Sequence, residues 1–237
     1  MPRPPGHGPG FEVRRQKIID TAAELFARRG YAATSVNDLG RAVGLAKGAL
    51  YYYIDSKENL LIEIQARVMT PLLSRARQIA ALDADPLVRL RLLSESLLTI
   101  IFRRLDHIWV YEHDYRSLTG APLQKLLGQR AEFERLVRGL IIEAGERGSF
   151  RAVDPRVATL QFLNLHNHTY QWAKPDGRWN AARLSREYCD TLLRGFGAPG
   201  AALPDVEGAA EAFKRERPGL PLDPEAEWTV VEAHTPS

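Results

Sequence analysis

Two features of the sequence predict an all-α protein of about nine helices. Apolar residues recur three and four apart through nearly every segment bounded by glycine or proline, the period of one helix face. No stretch of apolar–polar alternation is long enough for a useful strand, and no internal repeat is present.

The first ten residues, MPRPPGHGPG, hold four prolines and three glycines. That composition offers too little apolar surface to offset ordering entropy, so residues 1–10 read as a flexible arm. From Phe11 the pattern turns helical. Ile18, Ala22, Leu25 and Phe26 share a face, with Arg14, Arg15, Lys17 and Glu24 off it, and Gly30 stops a helix near 11–29. Ser35 then stands three residues before Asp38, a helix-start signal with the acid at the positive end of the dipole. Val36, Leu39 and Val43 mark a short apolar face that Gly44 ends. Lys47 opens a second short helix through Ile54. Two short helices joined by a tight glycine-containing turn form a helix-turn-helix pattern.

Asp55-Ser56-Lys57-Glu58 caps a longer helix with Leu60, Leu61, Ile64, Val68 and Leu72 on one face and Pro71 near its far end, where it kinks the chain. Pro86 opens a helix to about Arg103. Another is expected from Asp106 to Leu118, broken by Gly120–Pro122. The next ends at Gly145 and Gly148. Asp154-Pro155 places an acid at the cap and proline in the first turn of a helix expected to reach Trp172. Pro175-Asp176-Gly177 is a turn, and a last helix spans about 181–195. Residues 201–237, with five prolines and eight acids, read as a loosely ordered acidic tail in which Trp228-Thr229-Val230-Val231 could pack.

The chain has 237 residues, 45% hydrophobic and 26% charged. Its most apolar run, Leu97–Phe102, is far shorter than the roughly 18 residues of a membrane span and runs into Arg103 and Arg104. The start lacks the apolar region of a secretory signal. One cysteine, Cys189, leaves no internal disulfide framework or cysteine-rich zinc module. These points predict a cytoplasmic protein with no membrane partner. Formal charge is +3 over residues 1–60, +5 over 61–200 and −5 over 201–237. A basic body permits a polyanionic partner.

From Phe26 to Leu61 the chain resembles the DNA-binding domain of the TetR family of bacterial transcriptional regulators. The residues that carry this are Leu25-Phe26, Gly30-Tyr31, Thr34-Ser35-Val36-Asn37-Asp38-Leu39, Gly44-Leu45, Lys47-Gly48-Ala49-Leu50-Tyr51-Tyr52-Tyr53 and Ser56-Lys57-Glu58. The resemblance implies a three-helix DNA-binding domain at 11–57 and a ligand-binding and dimerisation domain at 58–200. Lys47, Ala49, Tyr51 and Tyr52 then meet base edges or groove walls, and Thr34, Ser35, Tyr53 and Lys57 meet phosphate. The chemistry agrees. Gly48 and Ala49 let the backbone come close, Lys47 can donate to guanine or phosphate, and helix N-termini favour phosphate. Three successive tyrosines point about 100° apart, so they cannot all pack inward. Leu50 and Ile54 should face inward. Gly40, Ala46 and Ile54 depart from a usual alanine, Ser/Thr and aromatic residue.

The body resembles a TetR subgroup linked to lipid, steroid and acyl-CoA catabolism, through Glu112, Arg116, Leu118, Arg130, Phe133, Gly145, Gly148-Ser149-Phe150, Asp154-Pro155, Asn167, Tyr170-Gln171-Trp172 and Pro175-Asp176-Gly177. His168 stands where the subgroup often has tryptophan. The resemblance implies a homodimer through about 154–172 and 181–195, with Cys189 in the interface, and release from double-stranded operator DNA by a small effector such as an acyl-CoA thioester. Expected effector contacts are His107, Trp109, Tyr111, His113, Tyr115, Phe133, Asn164, Asn167, His168 and Gln171. No metal or other cofactor is expected: His166 and His168 lie two apart on one helix, which suits no shared metal, and a site pooled from two helices, His113 with His166 or His168, is the alternative. An activator or architectural protein without effector is the alternative. An enzyme acting on an acyl-CoA is a third reading, against which stands the lack of any nucleophile-elbow, P-loop or dinucleotide motif.

Overall fold

The computed structural model describes residues 9–174, 176–200 and 203–217. Residues 1–8 of the expected arm, Pro175 of the expected turn and most of the tail, with Trp228–Val231, lie outside them. Ten α-helices occur among the described residues, and no β-strand. They are α1 (Pro9–Arg29), α2 (Val36–Val43), α3 (Lys47–Ile54), α4 (Lys57–Ala80), α5 (Pro86–Arg103), α6 (Leu105–His113), α7 (Gly120–Glu146), α8 (Pro155–Asn167), α9 (Ala181–Phe196) and α10 (Val206–Glu216).

The expected caps form. Ser35 and Asp38 make a reciprocal capping box at α2. Ser56 Oγ accepts from Asn59 N at 3.0 Å. Asp85 and Asp154 accept from the first amides of α5 and α8, each followed by proline. Four expectations change. Helix α1 begins at Pro9, inside the expected arm. Helix α6 ends at His113, and Tyr115–Ser117 tightens into a 3-10 turn. Helix α8 ends at Asn167, and His168–Gln171 is again 3-10 instead of α-helix to Trp172. Residues 206–216, expected to be loose, form α10, capped by Asp205 Oδ1 on Gly208 N at 2.9 Å.

The chain divides into two compact units. The first takes residues up to Val68 together with Asp106–Leu126, so it is larger than the expected 11–57. Buried polar side chains explain the extension. Arg67 on α4 is 2% exposed and reaches Asp20 of α1 at 2.6 Å and Gln16. Gln65 Nε2 donates to Val110 O of α6 at 3.2 Å. Asp114 accepts from Tyr31 N at 3.3 Å.

The second unit takes Met69–Leu105 and the rest from Leu127. Its centre is α5, buried at every position from Pro86 to Ile101. Helices α8, α9 and α10 pack against it. A helix buried all round normally carries only apolar residues, yet this one holds Arg89, Arg91, Ser94, Glu95 and Ser96. Each of the charged three is paired. Arg89 meets Glu143 at 2.5 Å. Arg91 meets Glu95 at 2.6 Å and Glu207 of α10 at 2.8 Å.

One buried hydrogen-bond chain runs in a single direction through this core. A carbonyl can only accept, so His166 Nδ1 donates to Phe162 O at 2.6 Å. Nε2 then accepts from Ser94 Oγ at 2.6 Å, Ser94 accepts from Ser185 Oγ at 2.8 Å, and Ser185 accepts from Arg91 Nη1 at 2.8 Å. Burial pushes the His166 imidazole down to about 4, the Phe162 carbonyl opposing. The unfolded chain binds this proton below about 6.5 and the folded one only near 4, so stability present above pH 6.5 is lost as pH falls towards 4. Denaturant unfolding is expected to weaken by about 2 kcal/mol from pH 7 to pH 5 through this group. The His166→Gln variant should lose that part of the slope.

Candidate nucleic-acid interface

Helices α2 and α3 are joined by a three-residue turn. Gly44 supplies the positive φ of 68° at its start. Leu45 N closes the turn onto Gly40 O at 2.8 Å. A Cβ on Gly40 would stand 2.7 Å from Leu45 O, so the departure from alanine fits a turn closed tightly on α2. Asp38 accepts from Ser35 Oγ and N and from Arg41, and these bonds hold its carboxyl well below the usual carboxylate range.

Helix α3 sorts its residues by face. Leu50 is 0% and Ile54 1% exposed, anchored inward. Lys47, Gly48 and Ala49 are exposed, and Tyr51 and Tyr52 are 38% and 56% exposed. Ala46 gives no side-chain cap, so the first amides of α3 have no side-chain acceptor from it. One short helix thus offers a cation, a small-residue approach and two aromatic faces.

The expected phosphate residues divide. Ser35 is exposed at the start of α2, though its hydroxyl is bonded to Asp38. Thr34 is 1% exposed, and its hydroxyl donates to Gly30 O at 2.9 Å. Lys57 is half-buried; its Nζ donates to Tyr31 O and lies 4.1 Å from the Tyr31 ring centre. Burial pulls the Lys57 ammonium below its ordinary range, with Asp114 opposing. Tyr53 is half-buried and stacks on Phe11. Sequence reasoning missed Phe11 and Arg15, whose Nε donates to Tyr53 O at 3.3 Å. Spacing along α1 gave no signal for them, since Arg15 lies off the apolar face and its partner Tyr53 is 38 residues away.

The expected effector residues fall in both units. On α6 and the turn after it, His107 and Tyr111 are buried, Trp109 stacks on exposed His113 at 4.3 Å, and Tyr115 is half-buried. His107 Nε2 lies 3.3 Å from Asp20, which ties α6 to α1. In the second unit Phe133 is buried, Asn167 half-buried, and Asn164, His168 and Gln171 are exposed. Two clefts of that unit have other linings, one of about 260 Å³ between α9 and residues 203–207, one of about 360 Å³ around Ile141, Phe150 and Val153. Cys189 is 3% exposed and is among the residues lining the first cleft; burial pushes its thiol up to about 11. Among the described residues no three His, Cys, Asp or Glu group as a metal site, and no helix is long and apolar enough to cross a membrane.

A helix-turn-helix with its second helix anchored by two apolar residues and its remaining face open defines a DNA-binding transcriptional regulator. Comparison with known proteins makes the class specific. Residues 18–64 match "Bacterial regulatory proteins, tetR family", and residues 83–196 match "Tetracyclin repressor-like, C-terminal domain". The HTH-type transcriptional repressor KstR2 of Rhodococcus jostii (strain RHA1) is 30% identical over 205 residues, which cover 84% of this chain and 98% of the relative. The TetR family transcriptional regulator PfmR from Thermus thermophilus superposes with a TM-score of 0.70 at 32% identity, over 77% of this chain and 100% of that one. AibR, solved in complex with isovaleryl coenzyme A and operator DNA, gives 0.64 at 28% identity, over 78% and 98%. The chain belongs to the TetR family, and its relatives are regulators rather than enzymes.

Proposed function

We propose that the protein is a cytoplasmic, homodimeric repressor that an acyl-CoA thioester, or a related lipid or steroid catabolite, releases from its operator. The open face of α3 carries this reading. Lys47, Gly48, Ala49, Tyr51 and Tyr52 are exposed together on a helix whose other face is anchored. The bare N-terminus of α3 supplies a phosphate contact beside them, and Ser35 joins it where phosphate takes over the bonds that Asp38 now accepts. Thr34, Tyr53 and Lys57 shape the site from within.

Dimerisation through α8 and α9 is supported by Val157 and Leu160, one turn apart on α8 and 51% and 42% exposed. Apolar residues this open on neighbouring turns favour a partner surface. Two-fold pairing there would set the α3 helices in successive major grooves, about 34–36 Å apart. The AibR complex supports the effector class, since that relative was solved with an acyl-CoA and operator DNA. Of the expected contacts, Trp109, His113 and Tyr115 in the first unit, and separately Asn164, Asn167, His168 and Gln171 in the second, keep exposed or half-exposed surface, while His107 serves the packing of α6.

A mobility shift tests this with DNA from the gene's own upstream region, two salt concentrations and a panel of acyl-CoA thioesters against free CoA. Specific binding should weaken with salt and disappear with one thioester. Binding indifferent to every thioester would reject the effector class. Activation of transcription by the bound protein would favour the activator reading instead.

A further inference from the structure

We infer that Phe11 is a positioning residue for operator recognition: it clamps the far end of α3 and sets the angle at which Tyr52 meets DNA. This rests on the reading of α3 as the base-reading helix. The Phe11 ring stacks on Tyr53, with centres 4.9 Å apart and planes at 20°. It also meets Tyr52 edge-on at 5.4 Å and 88°. Tyr52 and Tyr53 close the triangle at 5.3 Å and 83°. One turn further along α1, Arg15 donates to Tyr53 O and pairs with Glu63 of α4 at 2.9 Å.

The clamp completes what the apolar anchors leave open. Leu50 and Ile54 fix how α3 lies on its scaffold, but both point away from the exposed face. Tyr52 has more than half its surface open, and the edge-on contact with Phe11 narrows the rotamers it samples. The same ring stacks on Tyr53, so Tyr52 stands edge-on to two stacked rings, Phe11 from α1 and Tyr53 from its own helix. A pre-set side chain loses less freedom on binding, which raises affinity for a site matching its angle. Phe11 itself need touch no base. Its effect should therefore fall on discrimination between sequences, while phosphate contacts and their salt dependence stay as they are.

The test compares wild type, Phe11→Ala and Phe11→Tyr in the full-length protein. Readouts are operator affinity, affinity for an unrelated duplex, the salt slope, thermal midpoint and amide exchange in the free protein. At the strength of about one aromatic pair per half-site, Phe11→Ala should raise operator Kd about tenfold. Its Kd for the unrelated duplex and its salt slope should stay within twofold of wild type, and Phe11→Tyr should restore operator binding. Exchange should quicken at Tyr51–Ile54 and remain unchanged at Ile18–Phe26. Unchanged operator binding by Phe11→Ala, equal losses on both duplexes, or no rescue by tyrosine would each overturn the inference. If wild type bound no DNA, the regulator reading would fall, and the exchange arm would still judge the clamp. Uniform or absent acceleration would overturn it.

Discussion

Replacing Arg91 with methionine is expected to destabilise the protein by about 3 kcal/mol in denaturant unfolding and to free α10 from α5. The guanidinium is 1% exposed, and all five of its N–H donors are used. Nε and one Nη2 hydrogen go to Glu207, at 2.8 and 3.0 Å. The other Nη2 hydrogen goes to Ala182 O at 3.3 Å, and the two on Nη1 go to Glu95 and Ser185. Methionine fills much of the volume but donates nothing. Among the described residues Glu95, 2% exposed, keeps only Lys214 as a side-chain partner, at 2.9 and 3.2 Å. Glu207 is 29% exposed and keeps Arg186 at 3.1 Å, so it can turn towards water. The surviving partners place the loss at the low end of the roughly 3–5 kcal/mol that follows when one member of a buried pair is removed.

Two controls sharpen the assignment. Glu207→Gln should cost about 1 kcal/mol, because its carboxylate is partly solvated already. Arg91→Met with Glu95→Leu should recover a large part of the single-variant loss, since no uncompensated charge then remains in the core. Amide exchange in α10 should quicken in Arg91→Met more than anywhere in α9. A loss below about 1 kcal/mol with α10 still protected would show that the network does not hold this helix.

The contrast between α10 and the helix-turn-helix shows what the sequence made legible. Ser35, Asp38, Gly44 and the apolar spacing of Leu39, Leu50 and Ile54 act through neighbours a few residues away, so local physics fixes them before any tertiary contact exists. Helix α10 carries Asp205 as a cap and Val206, Ala210 and Phe213 at helical spacing, yet its partners lie on α5, more than a hundred residues earlier. Acid and proline content suggested a solvated tail because the matching cations on a buried helix could not be paired from spacing alone. The end of α8 is a similar case. Its apolar period continues past Asn167, but the backbone tightens at His168, and nothing local marks the change. Residue type and position alone suggest phosphate contacts at Thr34 and Lys57. Each is taken by a backbone carbonyl, of Gly30 or Tyr31, that only the folded loop brings within reach. The ten effector candidates stay a chemical shortlist, since aromatic residues at helical spacing serve core and ligand alike.

Lys47→Glu should abolish operator binding while leaving the fold as stable as before, or slightly more so. Lys47 is the first residue of α3, is exposed, and makes no ion pair among the described residues. No ion pair or side-chain hydrogen bond among the described residues is therefore lost on substitution. An acid at the first position of a helix also complements the dipole better than a cation does, so the thermal midpoint should hold or rise. On DNA the sign reverses. Each half-site exchanges a donor for an acceptor facing guanine acceptors or phosphate, and one such contact is worth about 1–3 kcal/mol before repulsion is added. Over two half-sites the expected loss exceeds about 100-fold in Kd. Lys47→Ala separates the two components: it removes the contact without the repulsion and should lose about tenfold per half-site. If Lys47 meets phosphate, Lys47→Ala weakens binding to every duplex and lowers the salt slope by about one per half-site. If it meets a base, the salt slope holds and only the operator is affected. Lys47→Glu binding as tightly as wild type, with its melting temperature intact, would remove α3's first turn from the DNA interface and the proposed recognition geometry with it.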